Sequence, residues 1–72
     1  MNRFEEAKAA YLEAVKLRPS YSKAWLNLGY IHAFLGDLDA ARSAFEKALE
    51  LEPDYTNAID AIRELEAGEI HP

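Results

Sequence analysis

The sequence predicts an all-α chain of four helices, paired as antiparallel helix-turn-helix units, and three observations carry that prediction. Apolar residues recur at three- and four-residue spacing, which is the stripe of a helix rather than the alternation of a strand. The stripe is interrupted at Pro19, Gly36, Pro53 and Gly68, residue types that stop or turn a helix. The pattern also copies itself at an offset of 34 residues, so the chain is built from a recurring unit.

The full unit runs from Ser22 to Tyr55. Its first half places Ala24, Trp25, Leu28, Ile31, His32 and Leu35 on one stripe, predicting a helix over 22–35. Gly36 can adopt the left-handed conformation that closes that helix, and Asp37 can accept from the free amides of the next. Leu38, Ala41, Phe45, Ala48, Leu49 and Leu51 form the second stripe, a helix over 38–52 that Pro53 ends by lacking an amide donor.

The flanks are partial copies. Phe4, Ala7, Tyr11, Ala14 and Leu17 lie one period before Leu38, Ala41, Phe45, Ala48 and Leu51, while Pro19 and Tyr21 precede Pro53 and Tyr55 by the same interval. Residues 3–21 therefore read as the second helix, over 3–17, and the connection of a partial unit. Residues 56–67 read as a first helix, with Ala58, Ile59, Ile62 and Leu65 one period after Ala24, Trp25, Leu28 and Ile31. This copy carries Arg63 where the full unit has Gly29, and Glu66 where it has His32, so its outer face is bulky and charged like that of a capping helix. Gly68 is a helix stop, and 68–72 read as a tail.

Seventy-two residues make one domain near the lower size limit for a single hydrophobic core. Half the residues are apolar and 29% charged, with three Gly and three Pro, which is the composition of a soluble helical protein. The absence of cysteine excludes disulfides and thiolate chemistry. A net charge of -5, with eight Lys and Arg scattered among thirteen acids, argues against nucleic acid as a partner and favours basic or neutral ones. No apolar run approaches the roughly 18 residues that cross a bilayer, and Met1-Asn2-Arg3 leads straight into an amphipathic helix, so the chain reads as soluble, unprocessed and by default cytoplasmic, with no membrane partner.

No catalytic or cofactor motif is legible, and neither histidine has a second ligand three or four residues away on a helix, so no enzyme, cofactor or metal is expected. His32 is expected to bond a neighbouring carboxylate, with Glu66 in reach if the first helices lie side by side; His71 has no assigned role. Glu13 with Lys16, and Arg42 with Glu46, read as solvated pairs along helix surfaces.

Small residues at Gly29, Ala41 and Ala48 allow two backbones to approach, with Trp25, Leu28 and Phe45 filling the space around the crossing. With Gly36 and Pro53 added, these eight positions match the signature of the tetratricopeptide repeat in type and spacing, and the chain resembles that family over nearly its whole length. The family usually has Tyr where this chain has His32.

The resemblance implies a short right-handed α-solenoid and a non-catalytic module that binds a protein or peptide segment on the concave face of its first helices. The positions implied for that face are Lys23, Leu26, Asn27, Tyr30, Ala33 and Phe34. Leu26, Tyr30 and Phe34 are spaced four apart on the side turned away from Trp25 and Leu28, so something beyond the unit's own pairing is expected to cover them. Some members hold the C-terminal carboxylate of chaperone peptides with Lys, Asn and Arg. Lys23 and Asn27 stand at suitable positions, but Asn57 and Ala61 supply no second cation, so that ligand is not expected. The alternative is a structural unit that completes its solenoid between chains, as a dimer or a head-to-tail filament. It would associate through an open end at Phe4, Ala7, Tyr11 and Ala14, and a homo-oligomer is expected, with Arg63 standing against the filament.

Overall fold

The structure, a computed structural model, describes residues 3–69. It contains α1 (Arg3–Leu17), α2 (Ser22–Phe34), α3 (Leu38–Leu51) and α4 (Thr56–Glu66), and no strand among the described residues. The helices expected from periodicity are all present, with ends within one residue of expectation. Of the expected tail, residues 70–72, including His71, lie outside the described residues, as do Met1 and Asn2.

The helix ends follow from named residues. Gly36 has φ 87°, and behind it the amides of Gly36 and Asp37 reach back to the carbonyls of Ala33 (3.0 Å) and His32 (2.9 Å), closing α2 in a Schellman motif. Asp37 then accepts from the amide of Ala40 at 3.2 Å and caps α3. The same closure recurs at Gly68, φ 75°, where Gly68 and Glu69 donate to Leu65 (3.2 Å) and Glu64 (2.9 Å). The two proline turns are also alike: Tyr21 donates to Arg18 and Tyr55 to Glu52, each at 3.0 Å. Trp25 fastens the first turn by donating its indole N–H to the Pro19 carbonyl at 2.9 Å.

Helix α2 is the centre of the molecule, with α1, α3 and α4 packed against it, and the backbone of α1 does not come close to that of α3 or α4 among the described residues. Two apolar clusters meet along it. One joins Leu26 and Ala33 of α2 to Ala41, Phe45 and Ala48 of α3 and to Ala58, Ala61 and Leu65 of α4. The other joins Val15 of α1 to Ala24 and Leu28 of α2 and Ala44 of α3, with Tyr11, Ala14 and Trp25 around it. Alanine dominates the first and makes up half of the second, so the helices sit close, and Phe45 and Leu28 are the largest side chains fully enclosed.

The helices α2 and α3 approach closely at Gly29. A Cβ built on Gly29 would stand 2.5 Å from two carbons of the Phe45 ring, which is itself 0% exposed and cannot move aside. Glycine inside a helix ordinarily costs about 1 kcal/mol relative to alanine, so its presence here reflects that contact. Gly29→Ala should therefore destabilise the fold by the ~1–3 kcal/mol typical of overpacking, despite its better helix propensity, and so lower the melting temperature. Ala48→Leu should do the same. Thermal unfolding checks both, and unchanged melting points would mean that α2 and α3 do not cross through these residues.

Candidate partner-binding face

The six positions implied for the concave face do not all reach the surface. Leu26 is 6% exposed and Ala33 0%, both enclosed by α3 and α4, so the cover expected from beyond the unit's own pairing comes, for Leu26, from this chain's last helix and not from a partner or a second molecule. The physical reason is the central place of α2. With three neighbours it buries more than one stripe, and the side turned away from Leu28 is covered by α4.

Lys23, Asn27, Tyr30 and Phe34 remain at the surface in differing degrees. Lys23 is exposed, and Asn27 is half-buried, donating its side-chain amide to the Tyr11 hydroxyl at 3.3 Å. Phe34 is exposed along one side and stacks on Phe4 of α1, ring centroids 5.2 Å apart. Tyr30 is half-buried, its ring edge-on to Phe45 at 5.1 Å, and its hydroxyl reaches across to α4 to donate to Glu64 Oε1 over a long 3.4 Å.

Glu64 and Asp60 thus join this face, and neither was identified from the sequence. A signal existed, since Glu64 lies one period after Tyr30 and Asp60 one period after Leu26. Both act on the Tyr30 phenol. Burial raises its pKa above the ordinary 10.0, the Glu64 carboxylate adds to this by charge and by its hydrogen bond, and Asp60 and Tyr55 contribute further.

The positions expected to form an open end belong to the α1–α2 contact in part. Tyr11 and Ala14 pack beside Val15 and Leu28, and Phe4 lies against Phe34. Closure is nevertheless incomplete: Ala7, Tyr11 and Ala14 are half-buried, whereas Ala41, Phe45 and Ala48, one period later, are all 0% exposed.

On the other side of α2 a groove of about 500 Å³ separates α1 from α3, walled by Leu12, Trp25, Ala44 and Lys47 and containing His32. Glu66 does not serve His32 as expected; it pairs with Arg42 of α3 at 3.1 Å. Arg42 therefore reaches across to α4 rather than along its own helix to Glu46. The remaining ion pairs of the described residues are local ones: Lys8 with Glu5, Lys47 with Glu50 and Arg63 with Asp60, all at the surface and worth little. No group of three or more His, Cys, Asp and Glu that would hold a metal occurs among the described residues. Nor is any helix there long and apolar enough to cross a membrane.

A profile described as tetratricopeptide repeat matches residues 1–56, and the chain belongs to the tetratricopeptide repeat family. It is 46% identical over 52 residues to Heat shock protein STI1 of Saccharomyces cerevisiae, a match covering 72% of this chain and 9% of that protein. Against Protein O-mannosyl-transferase TMTC1 of Homo sapiens it is 40% identical over 53 residues, 74% of this chain and 6% of the other. Against the Hsp70-Hsp90 organizing protein of Triticum aestivum it is 38% identical over 53 residues, 74% of this chain and 9% of the other. The chain thus spans less than a tenth of the length of each of these relatives. No solved structure matches it. Tetratricopeptide repeats are non-catalytic modules that generally mediate protein–protein interaction.

The raised Tyr30 pKa has a measurable consequence. The folded state favours the neutral phenol, so the stability this residue contributes is complete below pH 10 and is lost as pH rises through the elevated folded value. Tyr30→Phe cannot ionise and should show a shallower alkaline loss of stability than the parent. Urea unfolding between about pH 8 and 11 compares the two around the unperturbed phenol value, and equal slopes would show that the phenol is not perturbed.

Proposed function

We propose that the chain binds a protein segment along the face shared by α2 and α4. The observation that carries this reading is Tyr30, a half-exposed aromatic flanked on one helix by exposed Lys23 and Phe34 and tied by its hydroxyl to Glu64 on the next. A large ring held in place on both sides offers area at little entropic cost, while Lys23 and Asn27 supply orientation. Membership of an interaction family supports the same reading, as does the printed name of the wheat relative, an organiser of two heat shock proteins. Capture of a C-terminal carboxylate as a chaperone tail does not fit. Asn57 is uncharged and Ala61 is 0% exposed, so α4 offers no second cation at either position.

The test is alanine substitution against a peptide selected on the immobilised chain. Tyr30→Ala should weaken binding by about tenfold or more, and Lys23→Ala by only a few-fold, because a desolvated aromatic anchor outweighs a rim charge. Affinity indifferent to Tyr30 would remove this face as the site.

A second reading, self-association, is favoured by the incomplete closure of α1. Ala7, Tyr11 and Ala14 hold surface that the matching residues of α3 have lost, and a second copy contributing helix there would complete it. The head-to-tail geometry meets an obstacle: α4 would have to present Arg63 to Tyr11 where α2 presents Gly29 to Phe45, and at Gly29 even a methyl comes within 2.5 Å of the ring. The contact would then pair α1 with α1 in a two-fold dimer. Sedimentation up to several hundred micromolar, a range suited to weak association on the order of 5 kcal/mol, should show a dimer without longer species. A strictly monomeric chain would end this reading, and filaments would reverse the choice of geometry.

A further inference from the structure

The face proposed for binding is unevenly charged, and its imbalance specifies the kind of segment that fits. Its acids are on α4. Glu64 is half-buried, and its one side-chain partner among the described contacts is the neutral Tyr30 hydroxyl at 3.4 Å; no ion pair serves it. Most acids of the chain likewise lack a cation, but they are exposed and solvated; among the described residues Glu64 is the one acid that is half-buried without an ion pair. Asp60, four residues before Glu64 and so on the same side of the helix, has Arg63 at 3.7 Å, a side chain 76% exposed and free to swing away. Like charges at this spacing repel along a helix, and both act on Tyr30 closely enough to raise its pKa. The cation on the α2 side, Lys23, is seven residues and about 10 Å of helix from Tyr30, too distant to neutralise Glu64.

Resting on the reading of this face as the binding site, we propose that its partner is a basic protein segment, one that seats a Lys or Arg side chain between Glu64 and Asp60 against the Tyr30 ring, with an apolar neighbour towards Phe34. Each part has a physical reason. A guanidinium or ammonium would give Glu64 the charge-assisted hydrogen bond that its neutral partner does not. It would also relieve the Asp60–Glu64 repulsion and gain the attraction of an adjacent aromatic ring. The net charge of -5 draws such a segment in at long range, and an acidic segment would meet two carboxylates in the same place.

A random heptapeptide display library selected on the immobilised chain, on Asp60→Asn/Glu64→Gln and on Tyr30→Ala tests this directly, with circular dichroism verifying that each variant is helical. Peptides recovered on the parent chain should be enriched in Lys and Arg, the enrichment should vanish on the double variant, and Tyr30→Ala should recover neither population. Replacing the shared Arg of the best peptide by Gln should then cost about tenfold in affinity for the parent and almost nothing for the double variant. Peptides that depend on Tyr30 but are acidic, unbiased in charge or equally basic on the double variant would overturn this inference and leave the face itself standing. Recovery of no Tyr30-dependent peptide would overturn both.

Discussion

The contact between Gly29 and the Phe45 ring is the constraint on which the other contacts of the molecule depend. It sets how near α2 and α3 lie, because the ring occupies the space a Cβ would take. That nearness lets alanines at 41, 44 and 48 close the interface without larger side chains. It also fixes Tyr30, the residue after Gly29, since the Phe45 and Tyr30 rings meet in a T-shaped contact at 5.1 Å. The exposed part of Tyr30 is thus positioned by a core contact at the ring as well as by Glu64 at its hydroxyl.

Such dependence on one ring follows from size. A chain of 72 residues has a net stability of only several kcal/mol, at roughly 0.05–0.15 kcal/mol per residue. Phe45 and Leu28 are the largest fully buried side chains, and each contributes about 1.5–3 kcal/mol through burial. The many buried alanines contribute less apiece but cost no side-chain entropy. Stability is therefore concentrated where α2 crosses α3, and α1 and α4 are held by thinner contacts on either side.

The elements were legible in the sequence because their causes are local. Stripe spacing, Gly36, Asp37, Gly68 and the two prolines act within a few residues of themselves, and the structure uses Gly36 and Asp37 as the closure and cap they suggest. Which face is free was less legible, because it depends on how many neighbours a helix has. Leu26 and Ala33 look like a spare apolar side when α2 is considered with α3 alone, yet α4 covers them. The partner of Glu66 fails for the same kind of reason, since Arg42 reaches it from a different helix. Glu64 is not legible for a similar reason, since its place beside Tyr30 depends on α2 and α4 lying side by side.

The departures of α4 from the repeat connect these points. At the Gly29 position it carries Arg63, and at the His32 position Glu66, so the two residues that would meet a further helix are a bulky cation and a carboxylate. The carboxylate is drawn back onto α3 by Arg42 at 3.1 Å, a surface pair that adds little to the packing of Ala58, Ala61 and Leu65 that holds the last helix. Arg63, by contrast, lies 76% exposed beside Asp60 and contributes little to the core. Its side chain and that of Asp60 form a loose pair at the border of the face that Tyr30 and Glu64 occupy. One helix thus gives its inner residues Ala58, Ala61 and Leu65 to the core and its charged side to solvent. The charged side that makes α4 a poor neighbour for another helix also carries Asp60 and Glu64, whose carboxylates act on the Tyr30 phenol across the face.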